Sequence, residues 1–227
     1  MTFLVRLVGA LLCCLSFAAV AEPMKFSKGG SDEACRTCEF IQATGEIVES
    51  TPDDFERFFK SSEFQAYRIR LNSPGGSLSA GLKLGEMIRS KKMATEVGAD
   101  ALVPDMKRMW SSGDVTKRTP GECASACAYA FLGGVERSLD PDSKLGFHRF
   151  YLPSAFQAPT ETLFTGNDLD RTQRLTAALA LYVAKMGVDA RLMGVASEFG
   201  PGEMRWIEPK EGKRCSQATA LISEAAI

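Results

Sequence analysis

The chain has 227 residues, 45% of them hydrophobic, with 27 basic side chains, 28 acidic ones and a single histidine. That length can bury one good core and leaves little room for a second. A formal charge of −1 gives no basic footprint, so nucleic acid is not an expected partner.

The first stretch, 1–21 (MTFLVRLVGALLCCLSFAAVA), places Arg6 before an apolar run from Leu7 to Val20 and ends on small residues Ala19 and Ala21 in an A-x-A pattern. It reads as a secretory signal peptide cleaved after Ala21. The apolar run is short for a bilayer span and no stop-transfer segment follows, so no stable membrane anchor is expected and the mature chain should be periplasmic or secreted. Cys35, Cys38, Cys123, Cys127 and Cys215 remain after cleavage, an odd number that leaves at least one unpaired in a monomer.

Residues 22–39 are polar and glycine-containing in their first part and read as an irregular N-terminal segment in which no core begins. One catalytic domain is expected over 40–227. Phe40 to Val48 reads as a strand, Pro52 to Phe59 as a short helix opened by Thr51, and Tyr67 to Leu71 as a strand that stops at Asn72-Ser73-Pro74-Gly75-Gly76. Leu78, Leu82, Gly85 and Ile88 recur on one helical face, and Thr95 to Val97 is a further short strand. Residues 98–120 mix Pro, Gly, Ser and charges without periodicity and read as a surface insertion or lid. Ala124 to Leu132 is a buried, small-residue helix stopped by Gly133 and Gly134, Leu145 to Phe150 a strand, and Asp168 to Lys185 a long helix. Strands interleaved with helices predict an α/β fold with a mainly parallel sheet.

His148 is the sole histidine, so any histidine chemistry must use it. Ser125 lies in PGECASAC, where a turn delivers the chain into the small-residue helix. A serine there is commonly just an N-cap, yet unpaired first-turn N–H groups and the helix dipole also suit a developing oxyanion. In NSPGGS, Pro74 stiffens the turn while Gly75 and Gly76 let backbone approach a bound carbonyl. Gly76 N–H and Ala126 N–H are the candidate oxyanion donors of an acyl-transfer site. Cys123 and Cys127 flank Ser125; in an oxidising compartment a disulfide between them is expected rather than a thiolate nucleophile. The Cys35-x-x-Cys38 pair reads as structural, with Cys215 as a partner for either cysteine. No cofactor is implied, and one histidine with scattered cysteines matches no zinc spacing.

Three segments together, RLNSPGGSLSAGLKLGEMI after a strand, the helix ASACAYAFLGG and the strand-borne LGFHRF, resemble the Clp protease and crotonase superfamily. Within it, the resemblance is to the Clp proteolytic subunit and related serine peptidases, over roughly Gly45 to Pro209. It implies a spiral of β-β-α units and a triad in the chain order Ser125, His148, Asp189. Asp189 stands in GVDARLM, with Glu198 as its rival and helix capping as its plainer role. The activity implied is a serine peptidase acting on peptides or unfolded protein. An esterase or thioesterase on the same site, or an inactive relative that binds peptides, are the alternatives. The long helix stands where the family builds an inter-subunit handle, so a homo-oligomer is an analogy-based expectation.

Overall fold

Period-two alternation in short strands and small-residue helices between them produce a mixed α/β fold with parallel and antiparallel pairing. The computed structural model describes residues 21–29, 40–61, 66–104, 114–151, 160, 165–200 and 202–209, with backbone alone at 101–104 and 114–116. The chain runs β1 (Lys25–Gly29), β2 (Phe40–Thr44), α1 (Thr51–Ser61), β3 (Arg68–Asn72), α2 (Leu78–Ser90), β4 (Ala94–Val97), β5 (Ala99–Pro104) and β6 (Asp114–Thr119). It continues through β7 (Glu122–Ala124), α3 (Ala126–Phe131), β8 (Arg137–Leu139), β9 (Lys144–Phe147), α4 (Gly166–Lys185), α5 (Arg191–Glu198) and β10 (Arg205–Ile207).

The main sheet has the order β1-β2-β3-β4-β8, parallel except at the β1–β2 edge. Its register sorts residues by face. Ala43, Leu71, Val97 and Leu139 lie abreast on one face and are buried together with Ile41 and Ile69. Against that face packs α3, every residue of which is buried, with Thr95 donating its hydroxyl to the Phe131 carbonyl at 2.9 Å. Phe26 of β1 stacks on Phe55 and Phe58 of α1, extending the same core.

The opposite face carries a polar row, Gln42, Arg70, Glu96 and Ser138, again abreast in the register. This row is not left in water. Arg70 is 1% exposed, and its guanidinium pairs with Glu96 and Asp100 while lying 3.9 Å over the Phe40 ring. Arg118 pairs with both Glu96 and Asp140. Because Asp100 belongs to β5 and Arg118 to β6, these pairs fasten the β5–β6 hairpin onto the sheet.

This architecture gives form to one expectation and corrects another. Within segment 98–120, read from the sequence as a surface insertion or lid without periodicity, residues 99–104 and 114–119 pair as antiparallel strands with register Ala99↔Thr119 to Pro104↔Asp114. Its alternation was hidden because the buried side of its ends is charged. In the N-terminal segment expected to lack structure, 25–29 forms β1 and Met24 is buried, because a polar edge strand needs only one neighbour to pair with. Residues 1–20, which the sequence reads as a signal peptide, and Cys35, Cys38 and Cys215 lie outside the described residues.

Candidate active site

Three parallel strand ends converge here. Beyond β3, Ser73 pairs with Cys123 of β7, its N–H donating to the Glu122 carbonyl at 2.7 Å and its carbonyl accepting from Ala124 N–H at 3.0 Å. On its other side β7 pairs in parallel with β9, Ala124 facing Gly146. Ser125 directly follows β7, and its N–H donates to the Gly146 carbonyl at 2.9 Å. His148 follows directly after the last residue of β9, so the two side chains leave neighbouring strand ends together. Carboxyl ends of parallel strands are where α/β folds place their clefts.

Ser125 Oγ and His148 Nε2 are 2.8 Å apart. On the other side of the ring, Nδ1 lies 2.7 Å from the Arg149 carbonyl. A carbonyl can only accept, so the hydrogen-bond network assigns the proton to Nδ1, and the neutral ring presents the Nε2 lone pair to the serine hydroxyl. The Arg149 backbone is itself fixed, its N–H donating to the Phe199 carbonyl at 3.0 Å just beyond α5.

Ser125 adopts φ 55° and ψ −121°, a conformation that costs a non-glycine residue about 1–3 kcal/mol. Its side chain caps nothing in α3, which removes the plain N-cap explanation for a serine at this position. The turn is held on both sides. Cys123 and Cys127 form a disulfide with Cα atoms 5.1 Å apart, bracketing Ser125 at two residues in each direction. Closing so short a loop stabilises by about 2 kcal/mol in the chain-entropy account, comparable to the strain it spans. Gly75 supplies the other side: a Cβ there would stand 2.7 Å from the Ala124 carbonyl and 2.8 Å from Ser125 Cβ, and its φ is +104°.

Among the described residues, neither Gly76 N–H nor Ala126 N–H donates to a protein acceptor, while the flanking amides of Gly75 and Ser77 do. Both expected donors therefore remain free. Ser125, His148 and Gly76 line a cleft of about 510 Å³, within the usual range for ligand sites. Leu78, Phe150, Leu175 and Met204 make its bed apolar, and among the described residues its charged lining consists of Glu46 and Arg171. The Tyr151 ring lies 5.8 Å from the His148 ring. Burial pushes the Tyr129 phenol up to about 12, so it lines the cleft as a neutral group. Among the described residues no group of three or more His, Cys, Asp or Glu side chains is placed to hold a metal ion.

The third expected member is elsewhere. Asp189 turns to the residues after it, accepting from Arg191 N–H at 2.8 Å and from the Arg191 guanidinium at 2.9 and 2.6 Å. Those contacts hold its carboxyl below the usual carboxylate range, side-chain hydrogen bonding first and the backbone N–H second. These are local bonds at the start of α5, whose N-cap position is Ala190 and has no side-chain cap, and among the described residues Asp189 makes no bond to the His148 ring. Glu198 is exposed and is not at the ring either. The group that orients the ring, the Arg149 carbonyl, carries no sequence signal, since every residue has one.

No protein-family model matches the chain, and no curated protein matches it. Among solved structures it is similar to a mutant form of the 1510-N membrane-bound stomatin-specific protease. The likeness has 17% identity and a TM-score of 0.41, over 69% of this chain and 67% of that one.

Proposed function

We propose that the protein is a serine hydrolase, and specifically a peptidase, working through a Ser125–His148 dyad. The observation that carries this is the 2.8 Å contact between Ser125 Oγ and His148 Nε2, on a ring whose Nδ1 proton is tied to the Arg149 carbonyl. His148 takes the hydroxyl proton as Oγ attacks a substrate carbonyl. The resulting oxyanion is met by Gly76 N–H and Ala126 N–H, the His148 proton passes to the leaving amine, and water then hydrolyses the acyl-enzyme by the same route. Each free oxyanion donor is worth on the order of a hundredfold or more in turnover.

The Cys123–Cys127 disulfide supports the reading of an exported chain, because such bonds persist in oxidising compartments. The alternation of strands and helices around the Gly75–Gly76 turn and the Ser125 helix supports a Clp and crotonase-type spiral. The deciding experiment is labelling with a fluorophosphonate probe, followed by mapping of the adduct. Wild type should label at Ser125, while Ser125→Ala and His148→Ala should each lose labelling, and combining them should add little because the pair acts as a unit. Undiminished labelling of Ser125→Ala would reject the assignment.

A further inference from the structure

The cleft is apolar along its floor but has opposite charges on its walls. Glu46 is on the wall formed by the Gly76 turn, where a Gly76 Cβ would approach Glu46 Cγ to 2.9 Å. Arg171 is on the wall formed by α4, exposed, beside the apolar Leu175 one turn along. The acids nearest Arg171 in sequence are already engaged. Asp168 accepts from the Thr165 N–H and hydroxyl in a capping box, with the Arg171 charge only a weaker influence on its carboxyl, and Asp170 pairs with Arg174 at 3.0 Å. Among the described residues Arg171 makes no ion pair, although it faces the same space as Ser125 and His148.

A guanidinium presents fixed donors that match a carboxylate, and a carboxylate placed in this cleft would be attracted to α4 and repelled by Glu46. Complementary and repulsive charges together set which way round a ligand lies. We propose that the cleft takes apolar peptides bearing a carboxylate, which Arg171 holds on the α4 side. This deepens the hydrolase reading and rests on it for what happens next to the bound peptide. The carboxylate has two sources, a peptide's C-terminus or an acidic side chain, and they differ only in where the charge sits on the chain.

The test is a binding measurement that does not require turnover. Purified Ser125→Ala protein is titrated calorimetrically with three peptides: acetyl-Leu-Leu-Phe-Leu as the free acid, the same peptide as its C-terminal amide, and acetyl-Leu-Leu-Phe-Asp amide. Tighter binding of the first over the second, by about tenfold, assigns the terminal carboxylate, and tighter binding of the third over the second assigns the side chain. Adding Arg171→Ala should erase the preference, Arg171→Lys should keep part of it, and Arg171→Glu should reverse it. Equal or undetectable binding of all three peptides, or a preference that survives Arg171→Ala, would overturn the proposal. Fluorophosphonate labelling of wild type separates the two claims: labelling without a carboxylate preference leaves the hydrolase and removes this specificity, and a preference without labelling does the reverse.

Discussion

A carbonyl oxygen at His148 Nδ1, in place of a carboxylate, changes what the ring can do. It fixes the tautomer as well as an acid would, but it offers the imidazolium formed during attack only a partial negative charge. Where a triad has an aspartate, replacing it with asparagine costs about 10⁴ in turnover because the ring then takes the wrong tautomer. Among the described residues no carboxylate stands at this ring, so Asp189→Asn should change the rate of Ser125 labelling by less than about threefold, the small effect expected of a surface substitution away from the site. A loss of a hundredfold or more would return Asp189 to the ring. Ser125 and His148 were legible because the chain has one histidine and because a turn into a small-residue helix is an uncommon setting for a serine. Asp189 was misassigned because spacing along the chain says nothing about which way a side chain turns, and Arg191, two residues on, captures it.

Helices α2 and α3 cross closely enough that backbone nearly meets backbone. A Cβ on Gly81 would lie 2.6 Å from the Ala126 carbonyl, and one on Gly133 would lie 2.1 Å from the Gly85 carbonyl. That closeness carries α3, with Ser125 at its head, down onto the sheet. Alanine at position 81 gains up to about 1 kcal/mol in helix propensity, yet it must push α3 away. Gly81→Ala should therefore destabilise by a net 1–2 kcal/mol or so, read from the denaturant midpoint, and slow Ser125 labelling more than that loss of folded protein explains. A stability gain would show that the helices can separate freely. Elements with an apolar stripe, such as α2 and α4, were readable to within a few residues. The edge strand β1 and the β5–β6 hairpin were not, since their partners recognise them through backbone bonds and charge, which leave no apolar period in the sequence.

Across the whole molecule, the two faces of the main sheet are held by different forces. One is closed by apolar packing, the other by a network in which Arg68, Arg70 and Arg118 meet Glu96, Asp100 and Asp140. Arg70, Glu96 and Asp140 are buried and costly to leave without a partner, while Arg68 is more exposed. Arg118→Met removes one cation and leaves the carboxylates in excess, so it should destabilise by about 3 kcal/mol and raise amide hydrogen exchange across β5 and β6 before the rest of the fold. Uniform exchange throughout would mean that the hairpin does not depend on these pairs. A different consequence follows from His148 being the only histidine in 227 residues. Every imidazole nitrogen signal from an isotope-labelled sample reports on this one ring, with no assignment problem to solve. The protein thus carries its own spectroscopic reporter, whose Nδ1–H tautomer, titration and response to a bound peptide can be followed in solution at the atom that faces Ser125.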